Sequence, residues 1–252
     1  MKRLSDDQLR SYGSRGHLTV ENVFGADDMA AAVADAEAWA ADEIGKLNPT
    51  ERAWYLEGAI ADRAVLRKLD NPIYLRPVFR ALAANDDLLA MVEQLIGPGP
   101  RVFFSQIFFK APGGGGPKPV HQDNFYFGPN NLESMVTAWI ALDDADVSNG
   151  CMYFGEGSNL GEVIPHTAPV GQPFNLLIPD DIAKDYEMTP APVPHGGVSF
   201  HHGNTLHQSA DNLSTSPRRA CAIHYGNGST KLVQAALDYD PDVVVSFQTR
   251  EG

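Results

Sequence analysis

A chain of 252 residues with 32 Asp and Glu against 19 Lys and Arg carries a formal charge of −13, which argues against nucleic acid or an anionic membrane surface as partner. The length allows one or two domains with a sizeable core, and a single β-sandwich with added helices can use all of it. Residues 1–18 lack the apolar core of a signal peptide, no apolar run approaches the roughly 18 residues of a membrane span, and Cys151 and Cys221 make no disulfide framework, so a reducing cytoplasm is expected.

In chain order, Ser5 is an N-cap candidate followed by Asp6 and Asp7, predicting a short helix that ends near Gly13. Residues 16–20 read as a strand. From Asp27 to Lys46, Met29, Val33, Ala36, Trp39 and Ala40 mark one face of a long packing helix. Helices over 72–84 and 86–96 follow, stopped by Gly97-Pro98-Gly99-Pro100. Beyond residue 100 the texture changes to short β-rich runs near 102–110, 119–126, 135–142, 151–154, 175–177, 198–201 and 219–225, punctuated by Gly, Pro, Asn and Asp. The plan is mainly β with N-terminal helices: residues 1–97 packed on a jelly-roll core over 100–226, a cupin-like double-stranded β-helix, in one domain spanning 1–252. Gly113 to Gly116 lack the Gly-Lys-Ser/Thr of a phosphate loop and read as a hairpin or flap. Residues 165–194, without clear periodicity, read as a lid.

The stretch Val120 to Phe127 pairs His121 with Asp123 in what reads as a strand, where alternation puts both side chains on one face. An imidazole and a carboxylate so placed can share one divalent ion, two thirds of a two-His-one-carboxylate facial triad. The His-x-Asp spacing is common, and its bland reading is a polar strand end. The third ligand must come from His17, His166, His195, His201, His202, His207 or His224, and spacing alone leaves the choice open. His201, His202 and His224 read as hydrogen-bonded packing groups. Ser216-Pro217-Arg218-Arg219-Ala220 opens the next strand, and an arginine there offers the planar fork that matches the far carboxylate of a dicarboxylate co-substrate.

His121-x-Asp123, then Val136 to Asp144, then Asn149-Gly150-Cys151, then His207-Gln208-Ser209 with Asn212, Ser214, Pro217, Arg218 and Arg219 resembles the phytanoyl-CoA dioxygenase family of Fe(II)/2-oxoglutarate oxygenases over about residues 100–226. The resemblance implies Fe(II) on His121, Asp123 and His207, 2-oxoglutarate held by Arg218 and Ser209 with Gln106 and Trp139 lining its pocket, and O2 as oxidant. It implies an enzyme that hydroxylates or desaturates a small-molecule metabolite, of the kind found in secondary metabolism, while 2-oxoglutarate becomes succinate and CO2. Gly155-Glu156-Gly157-Ser158-Asn159 departs from the family's Pro-Gly-Ser-His run, which bears on the substrate side. Related halogenases replace the triad carboxylate with a small residue, so Asp123 implies oxygenation. Trp139 reads equally as a plain core aromatic, Arg219 as a solvated charge on the opposite face, and Lys110 as a pocket residue or a strand end in water. Asn124, Tyr126, Trp54 and Tyr55 are candidate substrate walls, and no basic cluster supports an acyl-CoA. Two other readings remain: a cupin-like metalloenzyme that uses no 2-oxoglutarate, and a non-catalytic binding protein on the same fold. No heptad or apolar stripe singles out an oligomer interface.

Overall fold

A computed structural model describes residues 2–60, 63–169, 175–240 and 242–247. The N-terminal half runs α1 (Asp6–Arg15), β1 (His17–Val20), α2 (Ala26–Lys46), α3 (Pro49–Tyr55), β2 (Leu56–Ile60), β3 (Arg63–Leu66), β4 (Lys68–Asp70), α4 (Pro72–Leu75), α5 (Pro77–Ala83) and α6 (Asp86–Ile96). The core continues with β5 (Arg101–Lys110), β6 (Lys118–His121), α7 (Asp123–Phe127), β7 (Met135–Ala141), β8 (Met152–Gly155), α8 (Asp180–Ala183), β9 (Met188–Ala191), β10 (Val198–His202), β11 (His207–Ser209), β12 (Arg218–Gly226) and β13 (Val245–Ser246).

Two antiparallel sheets face each other. The larger has the order β1-β10-β7-β12-β5-β13, with β4 also paired to β5, and the smaller has β6-β11-β8-β9. Alternation divides the larger sheet into two faces. Its outer face, with Ile107, Phe109, Val136, Ala138, Ile140, Cys221, Ile223 and Tyr225, shares one apolar cluster with the helices. Within that cluster α2 contributes Met29, Ala32, Ala36 and Ala40, the face expected from its periodicity. The inner face carries the chemistry, because register stacks its residues in rows. One row joins His17, His201, Thr137, His224 and Phe104 across five strands, the next joins Ser199, Trp139, Ala222 and Gln106, and Arg218 lies opposite Lys110.

Several boundaries differ from expectation. Helix α1 runs past Gly13 to Arg15, where Gly16 at φ 78 supplies the left-handed cap, and Ser5 and Gln8 form the capping box at its start. The helix expected over 72–84 is two helices, since Arg76 precedes Pro77 and is held extended at φ −123 and ψ 118. The strand expected over 119–126 ends at His121, and Asp123 opens α7 instead, capped by Gly128. Residues 175–177 contribute only a bridge between Leu177 and Thr167. Within the expected lid, Met188–Ala191 forms the edge strand β9 on β8. Trp54 has its side chain outside the described residues. Among the described residues no helix is long and apolar enough to cross a membrane.

Candidate active site

Three ligand-type side chains converge between the sheets. His121 ends β6, Asp123 opens α7 two residues later, and His207 opens β11 directly opposite His121 in register. One ligand atom from each lies within 4.8 Å of the other two, and all three residues are buried. The orientation of each imidazole follows from its backbone partner. His121 Nδ1 lies 2.8 Å from the Pro119 carbonyl and His207 Nδ1 lies 2.9 Å from the Thr205 carbonyl. A carbonyl only accepts, so both Nδ1 atoms carry the proton and both Nε2 lone pairs face the common point. Burial, reinforced by neighbouring imidazoles, pushes His207 down to about 3 and His121 well below its ordinary range, so both rings stay neutral and able to ligate.

Asp123 is held from the other side. Its Oδ2 accepts from Thr137 Oγ1 at 2.5 Å and from His201 Nε2 at 3.1 Å, while His224 Nδ1 donates to Thr137 Oγ1 at 2.8 Å. The second carboxylate oxygen, Oδ1, is left facing His207 Nε2 at 3.7 Å. Burial opposes the charge, but the surrounding imidazoles and donated hydrogen bonds outweigh it and keep the carboxyl well below its usual range. His201 and His224 are thus the hydrogen-bonded packing groups expected, and they do more than pack. Together with Thr137 they fix which oxygen faces the imidazoles. Thr137 went unnoticed in the sequence, where nothing distinguishes it from any strand threonine. His202 holds the turn after β10 by accepting from the Asn204 amide at 3.1 Å.

At the other end of the inner face Arg218 is buried, its guanidinium 5.3 Å from the centre of the Trp139 ring. Ser209 is buried on β11, and Gln106 is half-buried on β5, donating to Asp70 at 2.7 Å. Lys110 does not end in water: its amine donates to the Ala210 carbonyl at 2.6 Å and to that of Gly116, tying β5 to two loops. Arg219 is no solvated charge either. It faces outward as alternation requires, but grips Asp143 with Nε and Nη2, each at 2.7 Å, and reaches Glu37 as well. Asn124 is buried with its amide on Asn204 at 2.7 Å and so braces the turn, while Tyr55 is exposed on the helical side. Tyr126 does reach the site, packing edge-on to His121 with ring centres 5.7 Å apart. His166 stands behind it, accepting from the Gln122 amide at 2.9 Å and stacking on Phe125.

A sequence profile for phytanoyl-CoA dioxygenase (PhyH) matches residues 12–220. The chain belongs to the phytanoyl-CoA dioxygenase family. A probable α-ketoglutarate-dependent hypophosphite dioxygenase of Stutzerimonas stutzeri is 27% identical over 223 residues, 87% of this chain and 77% of that one. Phytanoyl-CoA dioxygenase domain-containing protein 1 of Bos taurus is 32% identical over 154 residues, and the chain spans only 53% of that relative's length. Among solved structures, the α-ketoglutarate-dependent carbocyclase SnoK from nogalamycin biosynthesis superposes with a TM-score of 0.75 at 24% identity, covering 97% of both chains. EctD from S. alaskensis, with 2-oxoglutarate and 5-hydroxyectoine bound, gives 0.72 at 19% identity over 94% of this chain and 82% of its own. These likenesses establish the fold as the jelly roll of non-haem 2-oxoglutarate oxygenases, and the family makes this chain an Fe(II)/2-oxoglutarate-dependent dioxygenase that uses O2.

Proposed function

We propose that His121 Nε2, Asp123 Oδ1 and His207 Nε2 hold Fe(II), and that the protein hydroxylates a small metabolite. The observation that carries this is the pair of Nδ1 hydrogen bonds to backbone carbonyls, which leaves two neutral imidazole lone pairs and one free carboxylate oxygen directed at a single buried point. That donor set suits a ferrous ion and leaves positions open to other ligands. Bound there, iron supplies the chemistry that couples oxidative decarboxylation of 2-oxoglutarate, giving succinate and CO2, to oxidation of a substrate C–H bond.

The chain's own residues bind, orient and exclude water. Arg218 pairs with the far carboxylate of 2-oxoglutarate from a buried position against Trp139, and Ser209 donates to the same group. Gln106 borders this pocket from the inner face of β5. The segment carrying His166, Thr167 and Leu177 acts as a lid, held by the reciprocal Thr167–Leu177 backbone bonds of 2.8 and 2.9 Å and by His166 on the Gln122 amide. Residues 1–252 act as one domain, in the cytoplasm. Succinate release from 2-oxoglutarate should require added Fe(II) and vanish in Asp123→Ala. Succinate formation unaffected by that substitution would overturn the assignment. Because the carboxylate is present, turnover in chloride should yield oxygenated product, and a chlorinated product alone would contradict the account.

A further inference from the structure

We propose that Lys118 binds an oxyanion of the primary substrate, a carboxylate or a phosphorus oxyanion, at the mouth of the site. The inference deepens the iron and 2-oxoglutarate reading and rests on it for the meaning of "primary substrate". Lys118 opens β6, three residues before His121 and opposite Ser209 in register. Its amine donates to Tyr126 Oη at 2.9 Å and to Asn175 Oδ1 at 3.2 Å, and lies 5.1 Å from the centre of the Tyr126 ring. That same ring packs edge-on to His121, so one aromatic side chain separates the amine from the ligand cluster.

An ammonium has three protons to donate, and the two partners use two of them. Neither partner is an anion. Tyr126 keeps its own proton, which it donates to the Leu176 carbonyl at 2.6 Å, and Asn175 is neutral. Among the described residues no carboxylate lies within ion-pairing distance of Lys118. Lys68, the neighbouring cation whose charge acts on Lys118, has Asp70 at 3.1 Å. In a chain with 32 acidic residues, a half-buried lysine with none of them within ion-pairing distance stands out, because a charge partly withdrawn from water is costly until an opposite charge joins it. Burial first, then Lys68, brings this amine down to about 8 against the more distant pull of Asp123, so it remains mostly protonated near neutral pH.

Tyr239, from the C-terminal segment, packs against Phe104 and Phe127 with ring centres 5.3 and 5.0 Å apart, in one apolar cluster with Tyr126.

The test titrates the anaerobic Fe(II)-loaded protein with sodium acetate and with sodium phosphite at constant ionic strength, with and without 2-oxoglutarate, reading heat of binding. At least one anion should bind saturably at one equivalent, at least tenfold more weakly to Lys118→Met and within threefold of wild type to Lys118→Arg. Affinity for 2-oxoglutarate should stay within threefold in Lys118→Met. Should that variant not fold, Lys118→Gln, which keeps a donor for Tyr126 and Asn175 without the charge, must show the same tenfold loss. No saturable anion binding by wild type, or binding indifferent to residue 118, would overturn the proposal. A tenfold loss of 2-oxoglutarate affinity in Lys118→Met, with anion binding unchanged, would also overturn it by assigning Lys118 to the co-substrate, while leaving the iron site intact. Failure of wild type to bind 2-oxoglutarate would sink the functional reading, whereas Lys118-dependent anion binding in the same protein would still support the oxyanion site.

Discussion

Replacing Thr137 with valine removes one hydroxyl and keeps the side chain's shape, so it isolates the bond that holds Asp123. The lost contact is a 2.5 Å hydrogen bond to a buried carboxylate, and His224 Nδ1 loses its acceptor at the same time. Hydrogen bonds to charged groups contribute about 1.5–3 kcal/mol, and His201 still donates to the same oxygen, so the lower half of that range applies. With the carboxylate free to rotate, its Oδ1 no longer faces His207 by default. Removal of such supporting partners weakens metal sites about 10–100-fold. Thr137→Val should therefore weaken binding of Fe(II), or of Co(II) as a redox-stable probe, by about tenfold in an anaerobic competition titration, with the fold retained by circular dichroism. Combining it with His224→Phe should cost less than the sum of the single changes, since both act through one oxygen. An affinity within twofold of wild type in the folded valine variant would refute the view that Thr137 selects the ligating oxygen.

Gly128→Ala should loosen the C-terminal segment. Gly128 sits at φ 50, and an added Cβ would come within 2.2 Å of the Gln234 carbonyl carbon, so the backbone of that segment must move. A loss of about 1–3 kcal/mol is expected, lowering Tm by about 2–10 °C and opening residues 231–240 to protease, and an unchanged Tm would count against the packing described. His17 stacks on Phe154 at 4.3 Å, and burial, assisted by Arg15, pushes it down to about 4. The unfolded chain therefore takes up the proton first as pH falls. The stability this neutral imidazole supplies is complete above about pH 6.5 and is lost between there and about 4, a difference of about 3 kcal/mol. Urea unfolding of His17→Phe should show that much less acid sensitivity across the window, and parallel curves for the two proteins would reject the buried neutral histidine.

Local signals were readable where their cause is local. Ser5 was legible as the start of α1 and the apolar face of α2 follows from its own periodicity, whereas the choice of Gly16 over Gly13 as the end of α1 depends on the left-handed cap that only the folded chain displays. His121 and Asp123 are close in either a strand or the turn observed, so their pairing held although the strand ends between them. The joining of His207 to that pair came from resemblance, because β11 is three residues long and offers no alternation to read. The row Thr137, His201, His224 depends on register between strands 60 to 90 residues apart, and nothing in any one strand announces it. The same distance hid the partner of Arg219, since Asp143 lies 76 residues away. Lys118 was invisible for the opposite reason: what marks it is the want of a carboxylate, a property of the assembled mouth.

The most direct test of the central claim is the weak visible charge-transfer band that 2-oxoglutarate gives when it chelates Fe(II), recorded anaerobically for wild type and Arg218→Ala. The account predicts a band that needs both iron and 2-oxoglutarate, is absent in His207→Ala, and requires at least about 30-fold more 2-oxoglutarate in Arg218→Ala, as expected when the partner of a buried carboxylate is removed. Well-folded, iron-loaded wild type without the band, or a band with the same 2-oxoglutarate dependence after loss of Arg218, would contradict it.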